Sequence, residues 1–394
     1  MRYYTLFIKL MFFVVLTGNA QTELSHSIFI GQPINFGGKI GNDANAIRLQ
    51  NGRIVYKKVT IPAFPQGTDV KIKLTLRSNG DRWDKSGSCF VVNDLNEVSI
   101  INVSNGINEF PSTSTVSEKF KGVKASKSYK PVVELLRFMT PFGVGFYSDN
   151  KVKYRRPVYI PNWEKQVVWE EDISQLKGLV TNTFYIGVWI DTWTEEGYEV
   201  DLDLIYSNRP RKALEVLSLV NTIPYVSGQA LPDFFAHMPL EASFELPKNA
   251  KNVKLYYTTT GHGGHSGGDE FTKIKNTVFV DNAVVLDTVP WRDDCASFRR
   301  FNPTSGVWIQ KDSASYIDPE TYSYKIKEIE ERIASSDLSR SNWCPGSMVA
   351  PFEVDLNELK PGSHTLKISI PATEAFEDKL NHWLVSAYIT YELK

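Results

Sequence analysis

Cysteine and net charge are both scarce in this chain, and long apolar runs are missing after its first residues. The three cysteines, Cys89, Cys295 and Cys344, allow at most one intramolecular disulfide. A formal net charge of −1 argues against nucleic acid or an anionic membrane surface as the main partner. After residue 20 no apolar run reaches the roughly 18 residues of a membrane-spanning helix, so we expect no membrane span.

The N-terminal segment differs from the rest of the chain. Arg2 and Lys9 precede an apolar run over residues 10–16, and the small residues Gly18 and Ala20 follow it. This pattern predicts a secretory signal peptide over residues 1–20, because the apolar run is too short to cross a bilayer. We therefore expect a secreted or periplasmic protein.

Short strand-like segments dominate the remaining sequence, whereas helical periodicity is nearly absent. The segments alternate apolar and polar residues or are rich in β-branched residues, and turn residues separate them. They lie at residues 70–76, 89–92, 183–190, 200–206, 242–246, 365–370 and 384–391. The pattern predicts an all-β protein built from antiparallel β-sandwiches.

The length of 394 residues fits two domains rather than one small core. A polar stretch over residues 208–212 follows one run of strands and precedes the next. We therefore predict an N-terminal domain over residues 21–210 and a C-terminal domain over residues 211–394.

Two segments between the strands have a different pattern. Residues 104–130 are rich in Ser, Asn and Lys and predict a long surface loop. Residues 319–336 predict a short helical insertion, because their apolar residues fall close to one helical face. Cys295 and Cys344 flank this insertion and are plausible disulfide partners, while Cys89 has the surroundings of a buried strand residue.

A glycine-rich loop over residues 261–271 carries two histidines and an adjacent carboxylate pair between two strand-like segments. Three hypotheses fit it: a metal site built on His262 and His265, a phosphate-binding loop, or a substrate loop bearing Asp269 and Glu270. The phosphate hypothesis lacks the Gly-Lys-Ser/Thr ending and a following helix. The metal hypothesis lacks a third histidine at ligand spacing, although either carboxylate could supply the ligand.

Three other loops join charged residues to tryptophan. They read Asp81-Arg-Trp-Asp-Lys85, Asp191-Thr-Trp-Thr-Glu-Glu196 and Arg340-Ser-Asn-Trp-Cys-Pro-Gly346. Each alone is typical of a solvated turn. Together with the glycine-rich loop they indicate a sugar site, because sugar rings stack on tryptophan and their polar groups need charged partners. The carboxylates could supply a general base and hold an attacking water.

These loops, in this order, resemble the bacterial peptide N-glycosidase F family of secreted amidases, which release N-glycans from asparagine. Asp81-Arg-Trp-Asp84 is similar to the family's Asp-x-Trp-Asp turn, and Arg137-Phe-Met-Thr-Pro141 to its Arg-Phe-x-Thr-Pro segment. Asp191-Thr-Trp193 resembles its acid-Thr-Trp hairpin. The most specific match is Arg340 to Val349, which resembles an Arg-x-x-Trp-Cys-Pro-Gly-Met segment, and Glu270 takes the position of the catalytic-loop glutamate.

The resemblance implies two side-by-side, eight-stranded antiparallel jelly-roll sandwiches with the site in the cleft between them. It implies that Asp84 is the principal catalytic carboxylate, assisted by Glu270 and Asp191. It also implies a set of substrate-binding residues and a disulfide that matches one of the family's. The substrate-binding residues are Asp81, Trp83, Lys85, Trp193, His262, Arg340 and Trp343, and the disulfide joins Cys295 and Cys344.

The sequence departs from the family pattern at three places. Asp191 stands where the family has Glu and is one methylene shorter, and Lys85 stands where it has Arg, which loses planar bidentate contacts. The cysteines that flank the catalytic glutamate are replaced by Gly268-Asp269 and Thr272. We therefore expect a catalytic loop without its disulfide, and a more mobile one.

The function expected from this resemblance is hydrolysis of the bond between asparagine and the proximal N-acetylglucosamine of N-linked glycoproteins and glycopeptides. No metal or cofactor is expected, and the chain should act as a monomer. Three alternatives remain open: a non-catalytic glycan-binding or adhesion protein, a metal-dependent enzyme using His262 and His265, and a glycosidase that cuts within the chitobiose.

Overall fold

The structure is a computed structural model, and part of the chain lies outside the residues it describes. It describes residues 23–61, 68–92, 98–111, 120–144, 160–208, 212, 214–227, 229, 233–265, 268–374 and 381–393. The predicted signal peptide over residues 1–20 lies outside the described residues. Among the helices of the described part, none is long and apolar enough to cross a membrane.

Among the described residues, the first half of the chain contains nine strands and one short α-helix. The strands are β1 (Glu23–Ile34), β2 (Ile47–Leu49), β3 (Ile54–Thr60), β4 (Thr68–Ser78), β5 (Ser86–Val92), β6 (Val133–Met139), β7 (Val167–Asp172), β8 (Thr183–Ile190) and β9 (Tyr198–Asn208). The helix is α1 (Ile100–Ser104), and the side chain of Ser99 caps it by accepting a hydrogen bond from the Asn102 amide.

The described part of the second half contains eleven strands and a second short α-helix. The strands are β10 (Glu215–Asn221), β11 (Leu240–Leu246), β12 (Ala250–His262), β13 (Asn276–Val280), β14 (Ala283–Thr288), β15 (Val307–Ile317), β16 (Tyr324–Ala334), β17 (Met348–Val349), β18 (Phe352–Asp355), β19 (Gly362–Ser369) and β20 (His382–Leu393). The helix is α2 (Phe234–His237).

Apart from β15 and β16, the strands form two sandwiches, and every pairing between named strands is antiparallel. In the first, the sheet β1-β9-β4-β7 faces the larger sheet β17-β6-β5-β8-β3-β2. In the second, β10-β20-β12-β18 faces β11-β19-β13-β14. Alternate residues point into each core, as β11 shows by alternating buried and exposed positions over its whole length. The predicted all-β fold of two antiparallel sandwiches is confirmed.

Strands β5 and β6 are buried at all seven of their positions, because both faces of their sheet are covered. One face packs on the first core, which includes Val91 and Phe138. On the other face, Phe90 belongs to an apolar cluster with Ile223 and Leu384 from the second half of the chain. The two sandwiches therefore share an apolar interface.

The loop predicted over residues 104–130 is not wholly on the surface, so that prediction is partly wrong. Phe110, Phe120, Val123 and Tyr129 are all less than a tenth exposed. Tyr129 packs edge-on against Phe110 in the interface cluster. Residues 112–119 lie outside the described residues.

The helix predicted over residues 319–336 is wrong. This segment belongs to a two-stranded hairpin in which β15 pairs with β16 and Ile317 lies opposite Tyr324. Tyr324 and Ile326 are 67% and 65% exposed, so no apolar helical face is buried. Residues two apart share a face of a strand but lie on nearly opposite sides of a helix, and β-branched isoleucines favour the extended form once a partner strand is available.

The cysteine predictions are confirmed. Cys295 and Cys344 form a disulfide with their Cα atoms 5.1 Å apart. Cys89 is a free thiol and is fully buried in β5. The disulfide joins the segment before the hairpin to the segment after Arg340, so it ties down the chain on both sides of the insertion.

Candidate active site

Two of the acidic loops lie at one end of the larger sheet of the first sandwich. Asp84 lies just before β5, and Asp191 directly follows β8. These strands pair in antiparallel register with Gly87 opposite Ile190, so the start of one lies beside the end of the other. The Asp191 amide donates to the Ser86 carbonyl at 2.9 Å. The strand pairing thus brings the two loops together.

Arg340 joins this end of the sheet to the glycine-rich loop. Its Nε donates to Glu270 Oε1 at 2.9 Å, and its Nη2 lies 3.9 Å from Asp84 Oδ2. Its remaining donors bind the carbonyls of Leu338 and Ser335 at 2.7 and 3.0 Å. Only 2% of Arg340 is exposed. One fixed guanidinium therefore lies between carboxylates from both halves of the chain.

The two carboxylates beside Arg340 differ from ordinary surface acids. Burial raises the pKa of Glu270 to about 7, and the negative charge of Asp84 adds to the increase, against the opposing effect of Arg340. Burial also raises the pKa of Asp84, against Arg340 and Lys85. Glu270 can therefore exchange a proton near neutral pH, and the two groups titrate as a pair.

The glycines of the loop allow close packing around Glu270. The Gly263 amide donates to the Glu270 carboxylate, and a Cβ on Gly264 would lie only 3.2 Å from Glu270 Oε2. A Cβ on Gly268 would lie 1.8 Å from the Gly263 carbonyl oxygen, which no side chain allows. The Ser341 amide donates to the Glu270 carbonyl at 2.9 Å. Several glycines of this loop thus serve its internal packing.

Asp269 anchors the same loop and does not act with Glu270 as a carboxylate pair. It is fully buried, and its Oδ2 accepts from Trp383 Nε1 at 2.9 Å. The Thr373 amide donates to the same carboxylate, and the Asp269 amide donates to Asn381 Oδ1. These hydrogen bonds hold the loop at a position where the resemblance implied cysteine. The greater mobility expected for the loop stays a prediction.

Arg53 is a site residue that the sequence did not indicate. Its Nη1 donates to Asp191 Oδ1 at 2.9 Å, and its guanidinium carbon lies 4.0 Å from the ring centre of Trp193. The Trp193 ring in turn lies 5.2 Å from that of Phe36. Burial raises the pKa of Asp191, while Arg53 and Lys85 lower it. No local motif marks Arg53, which lies immediately before β3 and is brought to the site by the fold.

The exposed aromatic surface of the site consists mainly of two tryptophans. Trp83 and Trp193 are 51% and 57% exposed, which leaves ring faces open for stacking. The charge of Lys85 acts on both Asp84 and Asp191, so this lysine lies in their neighbourhood. The predicted substrate-binding roles of Trp83, Trp193 and Lys85 fit these positions, but they stay predictions.

Asp81 is fully buried and holds the first loop in shape. Its Oδ2 accepts from the Thr192 hydroxyl at 2.7 Å, and its Oδ1 accepts from the Trp83 amide at 3.1 Å. It therefore links the loop that carries Asp84 to the loop that carries Asp191. The predicted contact of Asp81 with substrate also stays a prediction.

His262 and Trp343 pack against each other beneath the site. Trp343 is 2% exposed, and its Nε1 donates to the Gly261 carbonyl at 2.9 Å. The His262 ring stacks with those of Trp343 and His382, with ring centres 5.5 and 4.9 Å away. Burial, His382 and a nearby arginine lower the pKa of His262 well below its usual value, so the ring is neutral. In this conformation both side chains offer little surface to a ligand.

The metal alternative finds no preformed ligand set in the part of the chain that the structure describes. There, no group of three or more His, Cys, Asp or Glu side chains has an arrangement that could hold a metal ion. Nε2 of His262 lies 2.8 Å from the Thr260 hydroxyl and is engaged there.

Comparison with known proteins gives two family matches in the order of the two sandwiches. Residues 26–206 match the family model described as peptide-N-glycosidase F, N terminal, and residues 230–390 match its C-terminal counterpart. A curated relative, peptide-N(4)-(N-acetyl-beta-D-glucosaminyl)asparagine amidase F of Elizabethkingia miricola, is 23% identical over 267 residues. That match covers 64% of this chain and 58% of the relative.

Solved structures share the fold over nearly the whole chain. The structure of PNGF-II has a TM-score of 0.80 and 30% identity, and the match covers 94% of this chain and 65% of that one. A glycosylasparaginase from Flavobacterium meningosepticum, PNGase F, has a TM-score of 0.61 and 16% identity, with 94% and 96% covered. The chain thus spans less than two thirds of the length of both the curated relative and PNGF-II.

The two family models together match most of the chain, and the fold is shared with the solved structures. The chain therefore belongs to the peptide N-glycosidase F family.

Proposed function

We propose that this protein is a secreted or periplasmic amidase that hydrolyses the bond between asparagine and the proximal N-acetylglucosamine of N-linked glycans. Its substrates would be glycoproteins and glycopeptides. Water would supply a hydroxyl to the asparagine side-chain carbon and a proton to the leaving nitrogen. The products would be aspartate and a glycosylamine, which then loses ammonia.

The observation that carries the proposal is the buried group of Asp84, Glu270 and Arg340. Two carboxylates with raised pKa values beside one fixed guanidinium are typical of a site that moves protons and stabilises developing charge. A module that only binds sugar needs no such group. Exposed Trp83 and Trp193 flank it and supply stacking faces for sugar rings.

Each charged residue takes a distinct role in the proposed reaction. Asp84 acts as the base that activates water for attack on the amide carbon. Glu270, with a pKa of about 7, holds a proton that can pass to the leaving nitrogen. Arg340 offsets the negative charge that develops on the carbonyl oxygen. Asp191, held by Arg53, orients the first sugar.

The resemblance puts Asp191 where the family has a glutamate, which is one methylene longer. The Arg53 guanidinium reaches the Asp191 carboxylate directly and also packs on Trp193. Asp191 reaches less far than a glutamate would. We propose that Arg53 compensates for this, and that Arg53 and Asp191 contact the substrate together.

The competing hypothesis is a non-catalytic glycan-binding protein on the same scaffold. It would use Trp83, Trp193 and Arg53, and the exposed aromatic faces alone fit it equally well. It would leave the asparagine of a treated glycopeptide unchanged. A glycosidase cutting within the chitobiose would leave one N-acetylglucosamine on that asparagine.

Mass spectrometry of a glycopeptide treated in ¹⁸O-labelled water separates these hypotheses. The proposed amidase converts asparagine to aspartate and places one ¹⁸O in the new carboxyl group. We expect Asp84→Asn to lower this activity by more than about a thousandfold, because the general base is removed without a change of shape. Asp312→Asn, on the exposed hairpin, is the matched control and should keep full activity. Full activity of Asp84→Asn would exclude Asp84 as the base.

A further inference from the structure

A buried ion pair on β6 reaches from the first sandwich into the second. Arg137 donates from Nε and Nη2 to both oxygens of Glu134, at 2.6 and 2.8 Å. The Ser386 hydroxyl, on β20 of the second sandwich, donates to Glu134 Oε2 at 2.6 Å. Arg137 is 1% exposed and Glu134 is 6% exposed. The carboxylate is thus bound from both sandwiches.

The other edge of the Arg137 guanidinium also binds the second sandwich. Its Nη1 donates to the Thr260 hydroxyl oxygen and to the Leu384 carbonyl, both at 3.0 Å. Thr260 lies on β12 and Leu384 lies on the neighbouring strand β20. Every nitrogen of the guanidinium therefore donates to a defined acceptor, and this fixes the side chain in one orientation.

These hydrogen bonds leave the Thr260 hydroxyl proton for the next contact. Arginine only donates, so the Thr260 oxygen accepts from Arg137, and Nε2 of His262 lies 2.8 Å from the same oxygen. The single hydroxyl proton of Thr260 is available to Nε2, and in that arrangement Nε2 accepts and the ring proton lies on Nδ1. The low pKa of His262 agrees with this neutral form.

His262 connects these hydrogen bonds to the residues around Arg340. Its ring stacks on Trp343, and Trp343 binds the Gly261 carbonyl through Nε1. The Arg340 guanidinium carbon lies 4.9 Å from the Trp343 ring centre, and Arg340 binds Glu270. A continuous series of contacts thus runs from β6 to the proposed catalytic group.

We infer that Arg137, held by Glu134, is a positioning residue that sets the second sandwich against the first, acting through Thr260 on His262 and Trp343. The inference rests on the proposed amidase function for its kinetic consequence only. Burying an ion pair rarely adds net stability over apolar packing of the same volume, whereas its directional hydrogen bonds specify one arrangement. Here that arrangement brings Asp84 of the first sandwich to Arg340 and Glu270 of the second.

The kinetic test removes one hydrogen bond and keeps the ion pair. Thr260→Val deletes the hydroxyl between Arg137 and His262 with almost no change of volume. We expect kcat on a glycopeptide to fall about tenfold and KM to change little, because the catalytic group is misplaced and the exposed tryptophans are untouched. Thr260→Ser should restore kcat. Thr258→Val, a buried threonine two residues earlier on the same strand, is the matched control.

A purely structural role would give a different result. In that case Thr260→Val would lower the melting temperature but keep the wild-type kcat at temperatures where the protein is folded. That outcome would overturn the inference. Arg137→Lys gives a second check. It keeps the positive charge but loses the planar guanidinium that binds several acceptors at once, so it should lower kcat by a similar factor.

An independent measurement requires no turnover. Nitrogen-15 NMR of labelled histidine should find the His262 proton on Nδ1 in the wild type, and Thr260→Val should shift the proton toward Nε2. A wild-type proton on Nε2 would overturn the inference. If the wild type releases no glycan, the proposed function fails, but this measurement still decides whether Arg137 and Thr260 orient His262.

Discussion

The candidate site contains two arginine–carboxylate pairs with contrasting surroundings. Arg340 and Glu270 are buried, and Asp84 lies near enough to raise the pKa of Glu270. Arg53 and Asp191 lie nearer the surface, with 13% and 29% of their side chains exposed, beside the open ring of Trp193. A buried pair with a second carboxylate beside it, such as Arg340 and Glu270, suits proton transfer. A partly exposed pair beside an aromatic ring, such as Arg53 and Asp191, suits substrate binding.

Replacing each of the two arginines, Arg340 and Arg53, with lysine compares the two pairs directly. The larger effect is expected for Arg340→Lys. Lysine keeps the charge but cannot bind Glu270 and the carbonyls of Leu338 and Ser335 together. We expect kcat to fall about a hundredfold, because both carboxylates lose their fixed partner. Steady-state kinetics on a glycopeptide measures this. A loss confined to KM would remove the contrast between the pairs.

The next effect concerns pH, through Glu270. Its folded pKa of about 7 lies above the unfolded value of 4.5, so its contribution to stability is fully present below pH 4.5 and lost as pH rises through 7. Glu270→Gln should therefore stabilise the protein at pH 8 by on the order of 2 kcal/mol, and not at pH 4, while lowering kcat.

Thermal melts of the Glu270→Gln variant and the wild type at both pH values measure this difference. Glu328→Gln, on the exposed hairpin, is the control and should leave the melting temperature unchanged at either pH. Equal melting temperatures for wild type and Glu270→Gln at pH 8 would show that burial of the ionised Glu270 carboxylate does not destabilise the protein.

The smallest effect is expected at the rim. Arg53→Lys should raise KM about threefold to tenfold and leave kcat nearly unchanged, because it weakens the hold on Asp191 and the stacking on Trp193. Inhibition by a free chitobiose oligosaccharide should weaken in parallel. If kcat falls as much as in Arg340→Lys, Arg53 belongs to the catalytic group and the division into two pairs is wrong.

The strands could be predicted from sequence because their pattern is local. Residues 70–76 alternate strictly and residues 200–204 do the same, and they lie in β4 and β9, which pair with each other. Residues 319–336, which contain β16, fit a helix in a single short window, because the partner strand β15 that favours the extended form lies outside that window. Tertiary pairing overrode the local pattern there.

Site residues could likewise be predicted from sequence only where their neighbours in the chain form a recognisable motif. Asp84, Asp191 and Arg340 carry recognisable neighbours, so a resemblance could find them, and the structure brings them together. Arg53 has no motif, since its role depends on the pairing of β3 with β8. Asp269 was grouped with Glu270 by adjacency, but the turn directs it into the core toward Trp383. Adjacent residues in a turn often face opposite sides.

The position of strand β17 in the sequence determines when the larger sheet of the first sandwich can be completed during synthesis. Met348 pairs with Phe138, so the larger sheet of the first sandwich gains its last strand only after about 200 further residues have been synthesised. Until then β6 is an unprotected edge, open to pairing with another chain. The same segment carries Arg340 and Cys344 and supplies the Gly346 carbonyl to Trp169. Closing the edge of the first sheet and placing Arg340 in the site thus both depend on this one segment, and we expect an N-terminal half expressed alone to aggregate.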